Sequence, residues 1–176
     1  MPERRNLSFT NLADIMPEVN RLLAGHTTTG NWSLGQILQH LAISIRLSTR
    51  KRRDVAGGPY SEAFRRQFFR SGRIPEGAEV PHPILVPPAD ADAHAQAEAL
   101  GEAIAHFADA AGPFPDHPLL GPLEKQEWSQ FHCMHCAHHL SFALLADSPA
   151  QAGPQANHVL HCQKNRDVTD NAQHHV

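Results

Sequence analysis

The sequence predicts an all-α fold, a four-helix bundle with a long crossover connection between helices two and three, on three observations. Four long stretches repeat apolar residues at the i, i+3, i+4, i+7 spacing of an amphipathic helix. No pair of runs alternates with the period of two that a sheet would need. Two of the three connections are short and turn-rich, as between antiparallel neighbours in a bundle.

The first helix is expected over residues 11–25, where Leu12, Ile15, Met16, Val19, Leu22 and Leu23 share a face. Pro17 lies inside it, so the regular part begins near Met16 and the proline occupies the first turn, where no N–H is needed. A turn-rich stretch over 27–31 follows. Ser33, Leu34, Gly35 and Gln36 then have the Ser-x-x-Gln form of a capping box, which starts the second helix. Its stripe is Leu34, Ile37, Leu38, Leu41, Ala42 and Ile45, and His40 lies on the flank. Over 51–90 the periodicity fades among Gly57, Gly58, Pro59, Pro75, Gly77, Pro81, Pro83, Pro87 and Pro88. A short helix over 61–70, with Phe64 and Phe68 on one face, fits within this connection, while Ile84, Leu85 and Val86 are too isolated for a strand. Ala93, Ala97, Leu100, Ile104, Phe107 and Ala111 mark the third long helix, from Asp90 to near Gly112 and Pro113. The fourth is expected over 124–146, with Glu124 and Glu127 near its positive end. The bundle domain spans 1–147, and the polar residues 148–176, without an apolar repeat, read as a mobile tail.

At 176 residues the chain has the length of one domain that needs no staples. No stretch reaches the roughly 20 apolar residues of a membrane helix, and residues 1–6 lack the apolar run of a secretion signal, so a cytoplasmic protein is expected. Three cysteines make no paired framework, which fits a reducing compartment. Residues 1–75 hold 12 basic against 5 acidic side chains and the rest 3 against 13, which raises the question of nucleic acid at Arg50, Lys51, Arg52 and Arg53. Such a cluster also complements the negative end of the helix before it, and no aromatic residues interleave it, so nucleic acid is disfavoured.

The chemistry lies in the histidines. There are 14, so roughly one His-x-x-x-His pair arises by chance and a pair alone says little. Local density says more: residues 132–139 hold four. Trp128, His132, His135, His139 and Phe142 fall within about 80° of helix surface, a face that would ordinarily be core seam. Imidazole is a poor core residue because its nitrogens demand partners once desolvated. Either the seam is polar, its histidines partnering one another, or His135 and His139, four apart, hold a divalent metal from consecutive turns. Cys133 and Cys136 lie about two turns inside the helix, away from the end that activates a redox pair, and read as packed thiols.

Two segments extend this reading. One is Gly30-Asn31-Trp32-Ser33-Leu34-Gly35-Gln36-Ile37-Leu38-Gln39-His40-Leu41-Ala42; the other is His117-Pro118-Leu119-Leu120-Gly121-Pro122-Leu123, followed by Glu127, Trp128, His132, His135, His138, His139 and Leu140. Together they resemble a domain-of-unknown-function branch of the bacterial DinB-like superfamily, over residues 4 to about 146. The resemblance implies a four-helix bundle whose metal is held by one histidine of the second helix and two, four apart, of the fourth. On this chain these are His40, His135 and His139. It implies zinc, nickel or iron as the ion, with a position open to water or substrate. The wider superfamily includes thiol-dependent transferases and a thiol-dependent isomerase, so the implied activity is metal-dependent transfer or hydrolysis on a small molecule, with a thiol as cosubstrate. No catalytic residue follows: Glu127 and Gln36 lie near the motif, but nothing aims them. Glu124 stands where relatives place a threonine cap. His132 shares the face and could replace a ligand, and His138 could orient one. The competing class is a helical binding or dimerisation module without a metal, its partner a second copy of the chain. A membrane partner is not expected.

Overall fold

A computed structural model describes residues 4–50, 61–74 and 83–146. Lys51, Arg52, Arg53, the boundary at 147 and the tail with His158, His161 and Cys162 lie outside the described residues. The chain is mostly helical, with α1 Ile15–Ala24, α2 Leu34–Ser48, α3 Glu62–Ser71, α4 Ala93–Asp109 and α5 Lys125–Leu140, and single 3-10 turns at Leu12–Asp14 and Pro83–Leu85. Pro17 falls in the first turn of α1, as its missing N–H requires. The capping box forms: Ser33 Oγ accepts from Gln36 N–H at 3.2 Å, and Gln36 Oε1 accepts from Ser33 N–H at 3.0 Å. Asp92 caps α4 by accepting from Ala95 N–H at 2.7 Å. No described helix is long and apolar enough to cross a membrane.

Two expectations are corrected. A small sheet exists: β1 His26–Thr28 pairs antiparallel with β2 Ala143–Leu145, His26 opposite Leu145 and Thr28 opposite Ala143. The last helix therefore ends at Leu140, six residues before its expected end. Beyond it the backbone finds partners elsewhere: Ser141 O accepts Arg5 N–H and Phe142 O accepts Thr29 N–H, each at 2.9 Å. The sheet fastens the exit of α1 to the exit of α5, and so sets where residues 29–33 run past α5.

The core lies along α2, which packs against α4 and α5, while α1 packs against α4. Ile15, Val19 and Leu22 meet Leu38, Leu41 and Ile45, Leu100 and Phe107, and Trp128 and Leu140 in one cluster. At its first turn α2 approaches the chain leading into α4 so closely that a Cβ on Gly35 would stand 1.9 Å from Ala91 O. An ion-pair group around the buried Glu18 holds the segment before α1 in place. The Arg5 guanidinium pairs with Glu18 and donates to Leu140 O, and Arg21 reaches the other Glu18 oxygen at 2.9 Å.

Candidate metal centre

His40 belongs to the second turn of α2, beside the apolar stripe on the side facing α5, and is 3% exposed. His135 and His139 lie one turn apart on α5, half-buried. The three rings converge, with centroids 4.9 Å (His40 and His135), 4.5 Å (His40 and His139) and 4.7 Å (His135 and His139) apart. One nitrogen from each can be chosen so that all lie within 4.8 Å of one another, and His40 Nε2 is 3.0 Å from His135 Nε2. Nitrogens bound to one zinc ion at about 2.0–2.1 Å stand roughly 3.4 Å apart in tetrahedral geometry, a value these separations bracket. Among the described residues this cluster could hold a metal ion.

The shell around the cluster fixes the rings. His40 Nδ1 lies 2.7 Å from Leu85 O. A carbonyl can only accept, so Nδ1 carries the hydrogen and the neutral ring keeps its lone pair on Nε2, toward the other histidines. Trp32, held between the sheet and the α2 cap, stacks on His139 at 5.6 Å and 14° and leans against His40 at 5.0 Å. Phe131 stacks on His135 at 5.5 Å. Burial lowers the pKa of His40 despite the Leu85 hydrogen bond. Burial, then the neighbouring imidazoles, lowers that of His135 well below its usual value and that of His139 to about 2. All three rings are thus neutral near pH 7, the form in which imidazole ligates.

Other residues singled out by the sequence have different duties. His132, fully buried, is not in the cluster. Its Nε2 is 2.9 Å from Ser48 Oγ, and because that hydroxyl donates to Ile45 O at 2.7 Å, Nε2 must be the donor. His132 Nδ1 is left without a partner. His138 engages Arg4, whose guanidinium lies 3.4 Å from its Nδ1 and 4.3 Å over the Phe142 ring. Glu127 accepts from Glu124 N–H at 3.0 Å, and Gln36 completes its own cap, so both serve helix starts. Cys133 and Cys136 are buried thiols that stay protonated; burial raises Cys133 to about 11 and Cys136 further. Sequence reasoning missed Phe131 and the Leu85 carbonyl, and it quoted Trp32 within a motif without giving its ring a place against the histidines. Trp32 directly precedes the capping serine and carries a residue-type signal, whereas a backbone carbonyl has none.

A family model described as a protein of unknown function (DUF1569) matches residues 1–144, a span that includes both histidine-bearing helices. The chain belongs to this family. No curated protein and no solved structure matches the DUF1569 chain.

Its buried histidines also set a pH limit. Burial lowers the pKa of His132 to about 3 and that of His117 to about 4. His117 Nδ1 moreover accepts from Leu119 and Leu120 N–H at 3.1 and 3.2 Å. Between pH 6.5 and these values the unfolded chain binds protons the folded chain refuses, so stability is full above about 6.5 and declines as pH falls. Each fully buried group contributes a slope of up to about 1.4 kcal/mol per pH unit. Urea midpoints at pH 7.5, 6.0 and 5.0 should fall, and His132→Phe should lessen the fall by about one proton's worth. An equal slope in wild type and His132→Phe would contradict this account.

Proposed function

We propose that the DUF1569 chain is a DinB-like four-helix bundle of α1, α2, α4 and α5 that holds one divalent metal through His40, His135 and His139. The bundle would use the metal in transfer or hydrolysis on a small molecule. The observation that carries this reading is the convergence of three neutral imidazoles from two helices, one with its Nδ1–H committed to Leu85 O. Three such ligands with a backbone carbonyl behind one of them form the donor set of a catalytic site with an open position. When bound, the ion supplies Lewis acidity toward a water or thiol that reaches it. The chain's own residues hold and shield: Leu85 O keeps the His40 proton on Nδ1, while the Trp32 and Phe131 rings flank the cluster and limit water. Glu127 and Gln36 are engaged in helix caps, so neither is offered as a base.

One observation favours a second reading. His40 Nε2 and His135 Nε2 at 3.0 Å can share a hydrogen bond, His135 donating, so the pair can satisfy itself without an ion in a purely structural module. Trp32 separates the two readings because its ring stacks on a proposed ligand. In a Trp128→Phe background, one equivalent of zinc should change Trp32 emission saturably, and the protein should carry about one metal per chain. A flat titration with metal-free protein supports the structural module.

A further inference from the structure

The side chain of Gln36 makes two contacts in different directions. Its Oε1 closes the capping box on Ser33 N–H, and its Nε2 donates to Pro87 O at 3.2 Å. Pro87 is two residues beyond Leu85, whose carbonyl receives His40 Nδ1–H, and Gln36 is one helical turn before His40. Residues 85–91 are therefore fastened along the start of α2 at three points: Ala91 against Gly35, Pro87 to Gln36, and Leu85 to His40. A capping box accepts Glu as readily as Gln, so the cap does not call for an amide. Only the Pro87 carbonyl needs the N–H that Gln has and Glu lacks.

We propose that Gln36 is a positioning residue for the candidate metal centre: by holding Pro87 it keeps the Leu85 carbonyl on His40 Nδ1 and so fixes the tautomer that presents Nε2 to His135 and His139. The consequence for affinity rests on the metal reading of the cluster; the consequence for the tautomer does not. Gln36→Glu retains the cap acceptor but sets a carboxylate against a carbonyl, which pushes the 85–87 segment away. Ser33→Ala makes the opposite change, weakening the cap of the same helix while leaving the Gln36 contact to Pro87.

The full chain is labelled with 15N-histidine and both variants are compared with wild type, metal-free, at pH 7.5. Wild type and Ser33→Ala should show His40 as the Nδ1–H tautomer, and Gln36→Glu should show a mixture or the other form. Zinc affinity, measured by chelator competition and referred to His139→Ala to subtract other binding, should fall about 10–100-fold in Gln36→Glu and stay near wild type in Ser33→Ala. An unchanged His40 tautomer in Gln36→Glu, or equal changes in the two variants, overturns the assignment. If wild type binds no zinc above the His139→Ala level, the metal reading fails, and the tautomer spectra alone decide the role of Gln36.

Discussion

Single replacement of His40, His135 or His139 by Ala is expected to abolish stoichiometric metal, lowering zinc affinity at least about 100-fold in each case. Loss of a ligand should exceed the 10–100-fold cost typical of losing a partner behind a ligand. With only three imidazoles in the cluster, any deletion leaves two, either one turn apart on α5 or facing one another across to α2. His94→Ala and His106→Ala, on the exposed side of α4, should keep metal at the wild-type level. His132→Ala should keep it too while lowering stability, because that ring is spent on Ser48 and on packing against Trp128 and Phe107. Metal loss through misfolding has a different signature. The His139 ring is only half-buried, so the metal-free His139→Ala chain should still unfold in one cooperative transition, as metal-free wild type does. Metal retained in all three ligand variants would end the reading of this cluster as a metal centre.

Which parts of this arrangement could be read in advance follows from what each feature leaves in a sequence. The stripes of α2 and α4 and the Ser33 to Gln36 cap were legible because each repeats or pairs residue types at a fixed helical spacing. The two strands were not. His26–Thr28 and Ala143–Leu145 are three residues each, too short for an alternation to show, and the apolar residues at 143–145 continue the α5 pattern whether the chain coils or extends. The site divides in the same way. His135 and His139 announce themselves by density and spacing on one helix. His40 does not, since its position beside the α2 stripe says nothing of what lies across from it, and only the family resemblance selected it. The structure brings its ring to the other two, and what aims it is a carbonyl in a 3-10 turn, where no periodic signal exists.

Gly35→Ala is expected to destabilise the protein by about 3 kcal/mol or more, a large effect for the smallest side-chain addition available. At an ordinary helical position the same change gains about 0.5–1 kcal/mol, because glycine loses more backbone freedom on folding than alanine. Here the added Cβ would stand 1.9 Å from Ala91 O, 2.7 Å from Ala91 C and 3.2 Å from Ala93 N, all backbone atoms that no rotamer change can move aside. Either α2 or the entry to α4 must shift, and both are built into the packed core. Gly101 on α4 supplies the internal control. A Cβ there would meet only the end of the Met16 side chain at 3.7 Å, an ordinary contact with a flexible group, so Gly101→Ala should stabilise by about 0.5–1 kcal/mol. Urea unfolding of the two variants should therefore give shifts of opposite sign, and equal shifts would mean that the close approach of Gly35 to Ala91 is not held in solution. The two substitutions should also differ at the histidines. Displacing Ala91 pulls on the segment carrying the Leu85 carbonyl, so any folded fraction of Gly35→Ala should lose the fixed His40 tautomer, while Gly101→Ala keeps it.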